Sequence, residues 1–144
     1  MTAYRSPYEA YPFLADAPED LRCDFEILTD LIASLTGELA AACPPFKEEL
    51  MKVCELVYHI NPTLRTFFSI TSEEIAWLKG RTEALQKEAA PKGTAFVLPA
   101  GAANACKAHV LRTQCKQLVR LIYRHIAAGH AAPDGLLDVC NLLS

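Results

Sequence analysis

The chain has 144 residues, of which 51% are apolar and 22% charged, with a formal net charge of −3 at pH 7. That length suits a single domain with one core, and the apolar content excludes a disordered polymer. The acidic balance argues against a nucleic-acid binder, which carries a basic excess, and no apolar run approaches the ~20 residues of a membrane span.

Residues 1–17 are rich in tyrosine and proline (Tyr4, Pro7, Tyr8, Tyr11, Pro12) without a sustained period, and read as an extended arm preceding a helical domain over 18–144. Nothing in Met1 to Tyr11 has the basic-then-apolar order of a secretion signal. Asp16, Pro18 and Glu19 form a helix-start pattern. The first helix is expected to turn Leu21, Phe25, Leu28, Leu31, Ile32 and Leu35 inward and to end before Pro44-Pro45. A second helix runs from about Pro45 to Asn61-Pro62 on Phe46, Leu50, Val53, Cys54, Val57 and Ile60.

Thr71-Ser72-Glu73-Glu74 is a capping box for a third helix, with Ile75, Leu78 and Leu85 inward, broken at Pro91-Lys92-Gly93. The paired glutamates Glu48-Glu49 and Glu73-Glu74 read as solvated helix starts. Phe96-Val97-Leu98-Pro99 forms a short extended apolar segment. A long helix follows from about Gly101 to Ala128, stopped by Gly129, and a last short one from Pro133 or Asp134 to Ser144. Five helices with short links and no strand alternation predict an all-α, antiparallel five-helix bundle.

Charge is distributed unevenly along that plan. Residues 1–88 hold fifteen acids and eight bases, whereas 89–133 hold no acid and six bases: Lys92, Lys107, Arg112, Lys116, Arg120 and Arg124. The last four recur every fourth residue, so one helix face carries a cationic stripe. Like charges at that spacing repel. The stripe calls for a counter-charge from other helices or from an anionic ligand, and it marks where function sits.

The residues around the stripe resemble a known family. Phe96-Val97-Leu98-Pro99-Ala100-Gly101, then His109-Val110-Leu111-Arg112-Thr113-Gln114-Cys115-Lys116, are similar to the signature of the propanediol-utilisation type of ATP:cob(I)alamin adenosyltransferase. That signature reads F-[IV]-L-P-G-G, then L-H-x-x-R-x-x-C-R-R-A-E-R, with the same interval between its Phe and its Arg. Asp30-Leu31-Ile32-Ala33-Ser34-Leu35-Thr36-Gly37 is similar to the family's D-E-L-N-S-x-I-G. Leu137-Asp138-Val139-Cys140-Asn141-Leu142-Leu143-Ser144 is similar to its L-x-x-x-N-R-L-S.

The resemblance implies a homotrimer with sites between subunits, taking a corrinoid (cobalamin) and ATP with Mg²⁺, and transferring the adenosyl group to cob(I)alamin. By position, Phe96 is the aromatic under the corrin ring that keeps the lower ligand off cobalt. Asp30 and Arg112 are a carboxylate–guanidinium pair between neighbouring subunits at the corrin site. Lys116 stands where the family has a triphosphate-holding Arg, and Arg120 matches the last Arg of the motif. His109 matches the motif His, and Asn141 the Asn at the nucleotide end. Phe96, Asp30, Arg112 and Lys116 are thus the expected catalytic set, with His109, Arg120 and Asn141 as further binding residues.

The chain also departs from the pattern. Val119 replaces a Glu and Leu142 an Arg. The family's opening T-x-x-G-D-x-G-x-T phosphate loop is replaced by Tyr4 to Tyr11, which contain no glycine. A non-catalytic corrinoid carrier or sensor of the same fold is therefore the alternative function.

Two further chemistries fit the sequence less well. Cys106 and His109 share a helix turn but lack further ligands, so no metal site is expected. A Cys–His nucleophile pair lacks an orienting acid. The six cysteines, Cys23, Cys43, Cys54, Cys106, Cys115 and Cys140, form no Cys-x-x-Cys motif and read as reduced, mostly buried thiols in a cytoplasmic protein.

Overall fold

The computed structural model describes residues 3–90 and 95–144, so the break expected at Pro91-Lys92-Gly93 lies outside the described residues. Five α-helices follow in order: α1 (Arg22–Ala42), α2 (Lys47–Ile60), α3 (Ser72–Ala89), α4 (Ala103–Ala127) and α5 (Asp134–Leu143), with a 3-10 turn, Pro44–Phe46, ahead of α2. No strand occurs among the described residues, and the all-helical fold agrees with the sequence. No described helix is long and apolar enough to cross a membrane.

α1 is the spine, packing against α2 on one side and α4 on another, while α5 lies against both α4 and α3. Its buried face departs from the expected leucine stripe. Leu31 is exposed and Leu28 and Leu35 are half-buried, whereas Phe25, Thr29, Ile32, Ala33, Thr36, Leu39 and Ala40 are buried. Small side chains on that face allow close approach of the neighbouring helices. The threonine hydroxyls stay satisfied by donating to backbone carbonyls of their own helix, Thr29 to Phe25 at 2.9 Å and Thr36 to Ile32 at 2.7 Å.

Phe25, Ile32, Leu56, Ile60, Leu118, Ile122 and Leu136 are fully buried between the helices. Each such side chain contributes about 1.5–3 kcal/mol relative to exposure. Phe46, in the 3-10 turn, and Leu85, in the last turns of α3, both expected inside, are 44% and 40% exposed, each lining an open apolar cavity rather than the closed core.

α1 begins at Arg22, later than the Asp16–Glu19 pattern suggests. The carboxylate of Asp16 is taken by Arg65 instead, whose Nη2 donates to Asp16 Oδ2 at 2.8 Å. Asp20 then serves the helix start, accepting the Arg22 backbone N–H at 3.1 Å and the Arg22 guanidinium at 2.7 Å. α3 starts as its sequence predicts: Thr71 accepts the Glu74 N–H at 3.1 Å and Glu74 accepts the Thr71 N–H at 3.2 Å. α4 stops at Ala127, two residues before Gly129, whose φ of 94° favours glycine.

The glutamates read as solvated helix starts divide. Glu49 receives a forked bond from Arg81 of α3, and Glu74 binds His59 of α2 at 2.7 Å, so one of each pair ties the two helices together. Lys52 lies over the Trp77 ring at 4.2 Å, a third link between α2 and α3. Among the cysteines, all six are free, but Cys43, Cys54 and Cys106 are only half-buried.

Arg65 anchors the segment ahead of α1 to the bundle. Its guanidinium binds Asp16 and Glu26 and lies 3.5 Å from the centre of the Phe13 ring. Glu26 is only 7% exposed, so it depends on that partner. Arg65→Ala should lower unfolding stability in urea by about 3 kcal/mol, since it strands a buried carboxylate. The substitution should also make the bonds before Arg22 readily cleaved by protease.

Candidate functional site

α4 has two contrasting faces. Cys115, Leu118, Leu121, Ile122 and His125 point into the core. On the other side Arg112, Lys116, Arg120 and Arg124 are exposed, rotating by about 40° per step of four residues. The expectation that acids of the same fold might balance them is not met. Every arginine outside α4 has a carboxylate partner: Arg5 with Glu9, Arg22 with Asp20, Arg65 with Asp16 and Glu26, and Arg81 with Glu49. Among the described residues none of the α4 arginines has one, nor has Lys116; on this helix only Lys107 is paired, with Glu38 of α1.

The other nominated residues occupy separate places. Phe96 is fully exposed, and Val97 and Leu98 beside it are 81% and 85% exposed, in the link before α4. Asp30 is exposed on α1 and accepts a hydrogen bond from the Tyr58 hydroxyl at 3.5 Å. Around it Ile27, Leu31 and Tyr58 form a partly apolar outer face of α1 and α2. No ion pair joins Asp30 to Arg112 within one chain among the described residues.

His109 is half-buried on α4. Asn141 donates to the Leu137 carbonyl of α5 at 2.8 Å and lines a cleft with Lys79, Gln86 and Asp138, which no α4 cation borders. One protomer therefore brings Arg112, Lys116 and Arg120 together, and does not gather Phe96, Asp30 and Asn141 onto them.

An apolar cavity of about 470 Å³ is lined by Leu39, Phe46, Trp77, Leu78, Leu111 and Leu143. It contains none of the nominated residues. Its lining lacks the convergent charges that an anionic substrate needs.

Burial pushes the Cys115 thiol up to about 11 and raises Cys140 still further, which leaves both poor nucleophiles. Among the described residues no group of three or more His, Cys, Asp or Glu could hold a metal ion.

Two features have no sequence signal. The Arg65 cluster joins residues up to 49 positions apart. His125 and His130 stack with ring centres 4.8 Å apart, beside Asp20 and Arg22. The Arg22 hydrogen bonds hold the Asp20 carboxyl well below the usual carboxylate range. Burial, reinforced by His130, holds His125 below its ordinary value.

A model of the cobalamin adenosyltransferase family matches residues 20–144. No curated protein matches the chain significantly. The match spans every helix and omits the arm, whose sequence departs most from the family pattern.

The His125 environment sets a pH dependence. Because the folded chain resists protonating this imidazole, the unfolded chain binds the extra proton first, and stability falls as pH drops below about 6.5. Thermal melts from about pH 7 to about pH 5 should show a declining midpoint, with a smaller decline in His125→Gln. An identical decline in both proteins would assign the effect to other groups.

Proposed function

Because this chain belongs to the cobalamin adenosyltransferase family, we propose that it transfers the adenosyl group of ATP to a cob(I)alamin-type corrinoid at a site completed where copies of the chain meet. The observation that carries this reading is the row of exposed α4 cations without counter-ions among the described residues, on a chain whose other arginines are all paired. Such a row suits a polyanion.

In the reaction the reduced cobalt attacks the 5′ carbon of ATP, forming a Co–C bond. The C5′–O bond breaks, and triphosphate leaves with the electron pair. The protein's part is positioning and electrostatic. Phe96 presents an apolar wall against the lower face of the corrin, excluding a base or water that would otherwise ligate cobalt. Lys116 and Arg120 meet the charge that collects on the departing triphosphate. His109 and Asn141 contribute polar contacts at the two ends of the substrates.

Asp30, held by Tyr58 on a partly apolar face, suits the guanidinium of Arg112 from another protomer, and a homotrimer gives each site both partners. Mg²⁺ would come with the triphosphate, whose oxygens are its natural ligands. Six unbridged cysteines suit a reducing cytoplasm.

A second reading, a corrinoid-binding module without turnover, is favoured by the glycine-free arm and by Lys116, which keeps the charge but lacks the guanidinium fork. Anaerobic incubation with reduced cobalamin and ATP separates the two: the enzyme forms the Co–C bond, seen as an absorbance change, whereas the module binds corrinoid without that change. Arg112→Ala is expected to weaken corrinoid binding at least about tenfold and to loosen subunit association in sedimentation. If neither property moves, the role given to the Asp30–Arg112 pair is wrong.

A further inference from the structure

One cation of the α4 stripe has no part in the motif roles above. Arg124 lies one turn beyond Arg120, exposed and without a carboxylate partner among the described residues. Four like charges at successive i, i+4 positions repel along the helix, and α4 contains no acid to relieve them. Glutamates between those positions would relieve the repulsion, and α4 has none, so the bare row is better matched to a ligand than to a solvated surface.

The arm supplies a second, independent observation. A phosphate cradle needs free donors and close backbone approach. Here the arm's arginine, Arg5, donates to Glu9 at 2.9 Å and to the Pro12 carbonyl at 3.4 Å. The first glycine of the chain is Gly37, so residues 1–17 offer no bare backbone for phosphate oxygens to approach.

Resting on the adenosyl-transfer reading, we infer that Lys116, Arg120 and Arg124 form a rail for the phosphate chain of a nucleoside triphosphate, replacing the arm in that role, with Arg124 as its added member. Their Cα atoms climb about 6 Å per step, or about 12 Å in all. Lys116 offers a point charge, and Arg120 and Arg124 offer forked donors that can each hold two oxygens. A site built this way recognises the number of phosphates more than the base, and it weakens with salt.

Isothermal titration of the full-length protein with ATP and with inorganic tripolyphosphate, at low and high salt, tests the rail. Arg124→Gln should weaken both ligands roughly three- to tenfold and flatten the salt dependence. Arg124→Lys, which keeps the charge but lacks the fork, should restore only part of the affinity, and Arg5→Gln should match wild type. Corrinoid affinity, titrated in parallel, should be unchanged in Arg124→Gln.

Wild-type ATP affinity in Arg124→Gln would overturn the inference and leave Arg124 as a charge offsetting the negative end of the helix. An equal loss in Arg5→Gln would also overturn it, returning the phosphates to the arm. A wild-type protein that binds corrinoid but no ATP sinks the rail alone. One that binds neither sinks the adenosyl-transfer reading with it.

Discussion

α4 has to satisfy two demands along one length of helix. Its inner side holds the bundle together through Leu118, Leu121 and Ile122 against α1 and α5, and its outer side holds cations that no described acid balances. The inner side makes the outer one possible. Apolar burial of this order outweighs like-charge repulsion of a few tenths of a kcal/mol per pair, so the fold tolerates a charged row that an isolated helix would not favour. The bundle is in this sense a rigid mount for a face directed away from it.

The mount is reinforced where a ligand would least disturb it. Links between helices are polar and two-sided: Arg81 with Glu49, His59 with Glu74, Lys107 with Glu38, and Asn61 donating to Glu26 and Thr29 at 3.0 and 2.8 Å. None of them uses the outer cations of α4. Binding there can change the charge of one face without breaking a contact that holds the helices in place.

The helices were legible in the sequence because their signals are local. The Thr71 capping box, Pro44-Pro45 and Gly129 each act within a few residues. The buried face of α1 was misread because its spacing was followed through leucines, whereas the packing selects Thr29, Ala33 and Thr36, whose hydroxyls and small volumes let helices approach. The start of α1 was misplaced because the carboxylate of Asp16 answers to Arg65, far along the chain. The family was legible as motifs, Phe96 to Gly101 and His109 to Lys116, since these recur in order along the chain. Asp30, Phe96 and Asn141 lie apart in one protomer, a placement that no local pattern reveals.

α3 begins with both hydrogen bonds of its capping box, but from Glu83 onward every residue up to Ala90 is exposed. Such a stretch holds its backbone bonds against water with little packing behind them. Its amides should exchange with solvent deuterium through local opening, well before the core releases. The apolar triplet Phe96-Val97-Leu98, farther along and ahead of α4, is likewise exposed and outside the packed core, so neither stretch draws on the contacts that hold α1 and α4 together.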